Sequence, residues 1–200
     1  SNFGISCACN ANGTIVVIGD NQINSSIGDA TIFTYPWNST TPVSLYSIVT
    51  PDVLSTNFGY AVAMDGEGKT VAVSAPTIVN NNAGTVVVFN TDRGYSYQIF
   101  TSTFTSNGSY GLSFAMDQDG TQILFRVAEG SVSYVQQLVV SSGSWVLGSI
   151  LSPPQPGTDF GHNMSLSKDS KYLCCANYGY NSTGAFISYT QQLPIEAEAT

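Results

Sequence analysis

Oxygen-rich turns are the clearest places in this sequence where side chains of suitable type and spacing could bind an ion. The four carboxylates concerned alternate with other residues in two short turns: Asp65, Glu67, Asp117 and Asp119. Each turn also contains a glycine, and Ca²⁺ prefers such oxygen ligands. Calcium is therefore one prediction for these turns, and we expect no other cofactor. A tight Asp-Gly turn without an ion explains the same residues, and no carboxylate follows eight residues later, where Val73 and Phe125 stand.

Four cysteines form two pairs that a disulfide could join. Cys7 and Cys9 lie near the start of the sequence, and Cys174 and Cys175 lie near its end. A bridge between the pairs would close a long loop, worth about 4–5 kcal/mol in the chain-entropy model. All four also occupy apolar positions of their segments, where a free cysteine packs as a small hydrophobe. One bridge and no bridge both remain open, and the spacing does not favour a metal site.

N-glycosylation sequons of the form N-x-S/T occur six times. They start at Asn12, Asn24, Asn38, Asn107, Asn163 and Asn181. Asn163 falls inside a predicted strand and is expected to be unmodified, whereas the other five are predicted glycan sites. Turn chemistry alone also favours Asn and Ser in loops. With few charges and four cysteines, the sequons predict an extracellular glycoprotein, and since no signal peptide precedes Ser1 we expect the mature form.

Composition argues against several classes of function. The chain has 5 basic and 13 acidic residues, and the basic ones are scattered. Nucleic acids and anionic membranes both select basic patches, so neither is an expected partner. No apolar run reaches the roughly 18 residues of a membrane helix. The one histidine, His162, is interpreted as a packed or channel-facing side chain, and no nucleophile elbow or phosphate loop is present. We expect no enzyme.

An aromatic-glycine pair repeats through the chain and identifies the elements that position these residues. It occurs as Phe3-Gly4, Phe58-Gly59, Tyr110-Gly111 and Phe160-Gly161. The residues after each pair align without a gap, and apolar positions two residues apart share columns. One such column contains Cys7, Val62, Phe114 and Met164. A period of two is that of a strand, so each repeat begins with a β-hairpin whose turn contains the residues considered above.

Two further strands are predicted in each repeat. Third strands are expected at 29–35, 84–90, 130–138 and 184–193, and fourth strands at 43–49, 95–100 and 144–151. These segments are rich in β-branched and aromatic residues. No segment has a convincing helical period, so the sequence predicts an all-β protein. Four antiparallel strands in each repeat of about 50 residues are typical of β-propeller blades.

The repeat also resembles a known family. FGYAVAMDGEGKTVAVSAP followed by GTVVVF, within residues 58–89, is similar to the FG-GAP repeat of integrin α-subunit-like β-propellers. The resemblance implies a propeller with an extracellular binding or scaffold role. We predict one domain over 1–200, with blades at about 3–50, 58–104, 110–152 and 160–193 and an acidic tail at 194–200. The family usually has seven blades, whereas four are predicted here, the fourth without its outer strand.

Three functions are considered for such a domain. The first is a non-enzymatic structural or adhesive scaffold subunit, self-assembling into a filament or coat through the open edge of blade 4. Its expected partners are further copies of itself or another extracellular protein. The alternative is a carbohydrate- or protein-binding module that uses Trp37, Tyr178 and Tyr180. A second alternative is a glycosidase, which two carboxylates meeting in space would allow.

Overall fold

Four antiparallel sheets, one for each repeat, make up the protein. The computed structural model describes residues 1–23, 27–34, 43–49, 55–78, 84–101, 108–153, 159–178 and 187–192. Blade 1 contains β1 (Ser6–Cys9), β2 (Ile15–Asp20), β3 (Asp29–Thr34) and β4 (Val43–Val49). Between blades 1 and 2 lies β5 (Ser55–Thr56). Blade 2 contains β6 (Val62–Met64), β7 (Thr70–Ala75), β9 (Thr85–Asn90) and β10 (Ser96–Thr101), and β8 (Thr77–Ile78) pairs with β5.

The second half of the chain repeats this plan. Blade 3 contains β11 (Gly108–Met116), β12 (Gln122–Glu129), β13 (Val132–Ser141) and β14 (Ser144–Leu151). Blade 4 contains β15 (Asp159–Leu166), β16 (Tyr172–Tyr178) and β17 (Ile187–Gln192). Every blade is an up-and-down meander in chain order. The predicted all-β array of four antiparallel blades is confirmed, and within the described ranges the fourth blade has three strands.

Stacking of blades explains why the central strands are apolar on both faces. In blade 2, every residue of β7 is buried, as are the first five residues of β9. A strand covered on one side only shows alternating burial, whereas a strand covered on both sides reads as a continuous apolar run. Blade 2 has a neighbour on each side, so its segments TVAVSA and TVVVF contain no charged residue and are mostly small and β-branched apolar residues.

Three hydrophobic clusters lie between successive blades. The first joins Val17 and Ile32 of blade 1 to Val73 and Phe89 of blade 2. The second lies between blades 2 and 3, and the third between blades 3 and 4. The column of Val62, Phe114 and Met164 recurs in these clusters, always facing the preceding blade. The core is therefore divided into interblade layers, as in propellers.

The glycine of each aromatic-glycine pair is required by its backbone conformation. Gly4, Gly59, Gly111 and Gly161 have φ of 89°, 84°, 83° and 80°. Glycine adopts this left-handed region at no steric cost. Gly59 also lies close to blade 1, because a Cβ there would stand 2.1 Å from the carbonyl oxygen of Asp29. The motif thus sets the entry of each blade and its distance from the one before.

A short 3₁₀ turn, Thr91–Arg93, follows β9, and the Asn90 side chain caps it by accepting the Arg93 N–H. Among the described residues, no helix is long and apolar enough to cross a bilayer.

Candidate functional site

The first hairpin of each blade is closed by the same arrangement of hydrogen bonds. The side chain at the first turn position accepts the N–H of the first residue of the second strand in blades 1 and 4, and the N–H of the residue before it in blades 2 and 3. The distances are 3.0 Å from Ile15 N to Asn10 Oδ1, 2.8 Å from Lys69 N to Asp65 Oδ1, 2.8 Å from Thr121 N to Asp117 Oδ1 and 2.9 Å from Tyr172 N to Ser167 Oγ. Asn10 in blade 1 and Ser167 in blade 4 thus accept the same kind of backbone hydrogen bond as the aspartates of blades 2 and 3. The repeated oxygen at this position therefore serves the turn.

Two of these turn aspartates are buried, and this affects their chemistry. Asp65 and Asp117 are 4% and 2% exposed. Burial raises the pKa of Asp65 above its usual value, against the opposing effect of the Thr70, Lys69 and Gly68 backbone amides. Asp117 also accepts hydrogen bonds from the hydroxyls of Thr121 and Ser170. The Ser170 bond joins blade 3 to blade 4.

The four predicted calcium ligands do not converge on a common centre. Asp65, Glu67 and Asp119 line a cavity of about 360 Å³ between blades 2 and 3. Lys69 lines the same cavity, with its ammonium 2.5 Å from Glu67. In the part of the chain that the structure describes, no group of three or more acidic, His or Cys side chains is placed to hold a metal ion. Calcium binding stays a prediction, and the donors present fit a hydrogen-bonded turn better.

The cysteines lie on different faces of their blades. Cys7 and Cys9 are exposed on the face of blade 1 that points away from blade 2. Cys174 is exposed on blade 4, whereas Cys175 is buried against blade 3. Burial and the neighbouring Cys174 raise the pKa of the Cys175 thiol to about 12. All four are free cysteines in the structure, and a bridge stays a prediction for which Cys174 is the accessible partner.

A polar cluster that was not predicted from the sequence lies between blades 3 and 4. The buried Arg126 on β12 contacts Asp159, 2.5 Å away, and lies 3.4 Å from Nδ1 of His162. Asp159 and His162 both belong to β15. In the aligned repeats, Arg126 takes the position of Gly19 and Ser74, so its column gives no signal of an ion pair. The cluster fixes blade 4 to blade 3, and His162, which we predicted to be packed or channel-facing, is exposed beside it.

The outermost strands β4, β10 and β14 form the rim and present apolar side chains to solvent. Exposed fractions on these strands are 52% for Tyr97, 41% for Ile99, 40% for Val146, 55% for Leu147 and 58% for Ile150. Neither β10 nor β14 contains a charged residue or a proline. Sheet edges in soluble proteins are usually protected by such residues. This rim is therefore suited to contact with another protein.

A groove between blades 2 and 3 opens on the same rim. Gln98 bridges it: its Oε1 accepts the Trp145 N–H at 2.8 Å, and its Nε2 donates to the Trp145 carbonyl at 3.5 Å. A cavity of about 240 Å³ lies here, lined also by Asn90, Arg93 and Ser96. An aromatic side chain with amides and a guanidinium is a combination that can bind a polar ligand.

One of the predicted glycan sites can be located. Asn12 is exposed in the turn between β1 and β2, and the Thr14 hydroxyl of its sequon donates to Asn12 Oδ1 at 2.6 Å. The predicted sites Asn24, Asn38, Asn107 and Asn181 lie outside the described residues, as do Trp37 and Tyr180 and the side chain of Tyr178. Asn163 is exposed on β15.

Comparisons with known proteins identify the fold. No family model and no curated protein matches the sequence. Among solved structures, hydrazine synthase of Kuenenia stuttgartiensis has a TM-score of 0.61 at 11% identity, over 92% of this chain and 49% of that one. The WD40 domain of Toxoplasma gondii coronin has a TM-score of 0.60 at 9% identity, over 96% and 46%. A chain of a nidogen/laminin complex has a TM-score of 0.56 at 12% identity, over 88% and 57%.

These similarities place the chain in the β-propeller class and go no further. The chain spans about half the length of the proteins it matches. Structural likeness at such low identity shows a shared fold, and propellers support many functions. The predicted FG-GAP relationship is thus confirmed only at the level of the propeller fold.

Proposed function

We propose that this protein is an extracellular, non-enzymatic scaffold or adhesive subunit built from FG-GAP-type blades, which assembles through the free edges of its outermost strands. The observation that carries the proposal is the chemistry of those edges: the strands β4, β10, β14 and β17 contain no charged residue and no proline. An unprotected edge is a template for pairing with another strand.

The exposed side chains of the rim support the same proposal. Ile99, Leu147 and Ile150 are all between 41% and 58% exposed on adjacent outer strands. Large apolar side chains exposed on neighbouring outer strands are the kind of surface that other proteins cover. Strand pairing would bury these side chains along with the edge, so main-chain hydrogen bonds and apolar contacts would act together.

Among the described strands, the third strand of blade 4 has an unpaired edge. In blade 3, β13 pairs with β14, whereas the equivalent β17 pairs with β16 alone among the described strands. The segments YVQQL and YTQQL align at this point of the two repeats. The partner of β17 is therefore expected to resemble the sequence of β14, either in a second copy or in another extracellular protein.

Lysine substitutions on the rim test this proposal. We expect the double change Ile99→Lys and Leu147→Lys to reduce assembly at least about tenfold, since a charged edge resists pairing. The measurement is sedimentation velocity over a range of concentrations, with negative-stain electron microscopy of the largest species. Val132→Lys is the matched control, because Val132 is 53% exposed but lies on the third strand of its blade.

A synthetic peptide provides an independent test of edge pairing. The sequence SWVLGSIL of β14 should compete for the edge of β17 and dissolve assemblies, whereas a scrambled version should not. A chain that stays monomeric, or assemblies that resist both the rim lysines and the peptide, would refute edge-mediated assembly. Secretion from a eukaryotic host with a glycan at Asn12, found by mass spectrometry, tests the extracellular assignment.

A carbohydrate-binding role is the second candidate, favoured by the cavity beside Trp145. Its test is binding of saccharides to the wild type and to Trp145→Ala. Binding that the substitution leaves unchanged would exclude this cavity as the site.

A further inference from the structure

Blade 1 carries an apolar face that is buried in every other blade. The aromatic residue of the repeated pair is 0% exposed at Phe58, 5% at Tyr110 and 0% at Phe160, but 57% at Phe3. Phe3 packs edge-on against Phe33, at 6.1 Å between ring centroids, on the same side of the sheet as the exposed Cys9. We call Phe3, Cys7, Cys9 and Phe33 the leading face.

Glycine contacts mark the same difference. A Cβ on Gly59 would stand 2.1 Å from the Asp29 carbonyl oxygen of blade 1, and a Cβ on Gly111 would stand 2.7 Å from Ser74 Cβ of blade 2. A Cβ on Gly161 would likewise stand 2.7 Å from Val135 of blade 3. At Gly4 the corresponding space is open to 4 Å. The leading face thus has the backbone shape of an interblade contact with nothing against it in the described residues.

Blade 4 carries the complementary pattern. The face that each blade turns toward the next has a small residue at one aligned position: Ala8, Ala63 and Ala115. Their partners on the neighbouring strand are Val17, Ala72 and Leu124, respectively. In blade 4 these positions are Ser165 and Cys174, which are also paired and are both exposed. We call Asn163, Ser165 and Cys174 the trailing face.

A recurring hydrogen bond crosses from one blade to the next at the same edge. Ser6 Oγ of blade 1 donates to the Gly59 carbonyl at 2.9 Å, and Ser113 Oγ of blade 3 donates to the Gly161 carbonyl at 2.6 Å. In the alignment Ala61 holds this position in blade 2, and Asn163 holds it in blade 4. Asn163 therefore presents an amide donor where the next blade would offer the carbonyl of a repeat glycine.

We propose that the leading face of one copy stacks on the trailing face of a second copy, head to tail, with Asn163 donating to the Gly4 carbonyl. The interface continues the three interblade layers already present, with large apolar side chains on one side and small ones on the other. It uses the flat faces of the end blades and so goes beyond the rim edges of the proposed function. A heterologous contact of this type gives a closed ring or an open filament.

The positions of the cysteines make this contact measurable. Within each internal layer, the residue at the column of Cys174 shares a cluster with those at the columns of Cys7 and Cys9; in the first layer these are Val17, Val62 and Met64. Stacking thus brings Cys174 of one copy to Cys7 and Cys9 of the next. Oxidised glutathione can then join them: its disulfide is reduced to two glutathione thiols, which take up the two thiol protons, as one S–S bond forms between copies.

The primary experiment is oxidation of the purified chain with oxidised glutathione, followed by non-reducing electrophoresis and peptide mapping by mass spectrometry. We expect dimers or longer ladders linked from Cys174 to Cys7 or Cys9. Cys174→Ser should abolish them, whereas Cys175→Ala, at the buried neighbour, should leave them unchanged. A link within one monomeric chain, or a link that does not involve Cys174, would overturn the proposal.

A second arm does not depend on thiol reactivity. We expect Asn163→Asp to weaken association at least about tenfold by light scattering, since it replaces a donor with a charge facing a carbonyl. Asn163→Ser should preserve association, because serine makes this bond in blades 1 and 3. The rim lysines should leave stacking intact, which separates this contact from edge pairing. A monomer at all concentrations, as expected if further blades or another protein cover these faces, would overturn the proposal.

Discussion

The turn aspartate of blade 3 provides a sharp test of how the repeats are held together. Asp117 Oδ1 accepts the N–H groups of Thr121 and Gln122 at 2.8 and 3.0 Å, and Oδ2 accepts the Thr121 and Ser170 hydroxyls at 2.8 and 3.0 Å. Truncation to alanine leaves the buried N–H of Gln122 and the partly buried N–H of Thr121 without this acceptor, and an unsatisfied buried N–H costs about 1–3 kcal/mol. The hydroxyls can rotate toward other acceptors. We therefore expect Asp117→Ala to lower the free energy of unfolding by about 2–4 kcal/mol.

Urea unfolding followed by tryptophan fluorescence and circular dichroism measures this loss. With a slope of about 2–3 kcal/mol/M, the midpoint should fall by about 1–2 M. Asp119→Ala is the control, because Asp119 is exposed in the same turn and should change stability by less than about 0.5 kcal/mol. Asp117→Asn should cost about 1 kcal/mol, since Asn10 closes the equivalent turn of blade 1. If alanine at 117 and at 119 cost the same, the reasoning about the turn is refuted.

Three further predictions concern burial and close packing. Because burial raises the pKa of Asp65, the contribution of Asp65 to stability is greatest below pH 3.8 and declines as pH rises through the folded-state pKa. Asp65→Asn should flatten that decline when thermal unfolding is measured at several pH values, and an unchanged pH dependence would contradict this prediction. Gly19→Ala should lower the free energy of unfolding by about 3 kcal/mol, since the new Cβ would lie 2.0 Å from the Gly59 carbonyl oxygen. Wild-type stability of this variant in urea would show that the blades pack differently. Arg126→Met should cost about 1–3 kcal/mol by leaving Asp159 without its partner, and Asp159→Asn in the same chain should restore part of the loss; equal losses in the single and double variants would argue against the pair.

The architecture could be predicted from the sequence because the repeat carries redundant information. The aromatic-glycine pair marks each blade entry, and the alternating columns after it specify strands. Predicted fourth strands at 43–49 and 144–151 match β4 and β14. The two-residue strands β5 and β8 were missed, since a pairing this short has no periodicity.

Side-chain environments were less accessible from sequence. The alignment put Cys7 and Cys9 in apolar columns, but it could not show that their face would be exposed, because exposure depends on a neighbour rather than on the residue. The oxygens of Asp65 and Asp117 read as ion ligands, and their hydrogen bonds with the turn emerge only in three dimensions. The contact between Arg126 and His162 joins different repeats, where no local pattern exists.

Hydrogen–deuterium exchange of the purified chain, compared at concentrations below and above assembly, shows which strands are covered when copies associate. If the protein assembles through its unprotected edges, the amides of β10, β14 and β17 gain protection above the assembly concentration, while β7 and β12 in the centres of their blades do not change. Protection that is unaltered in all outer strands above the assembly concentration would contradict a scaffold built by edge pairing.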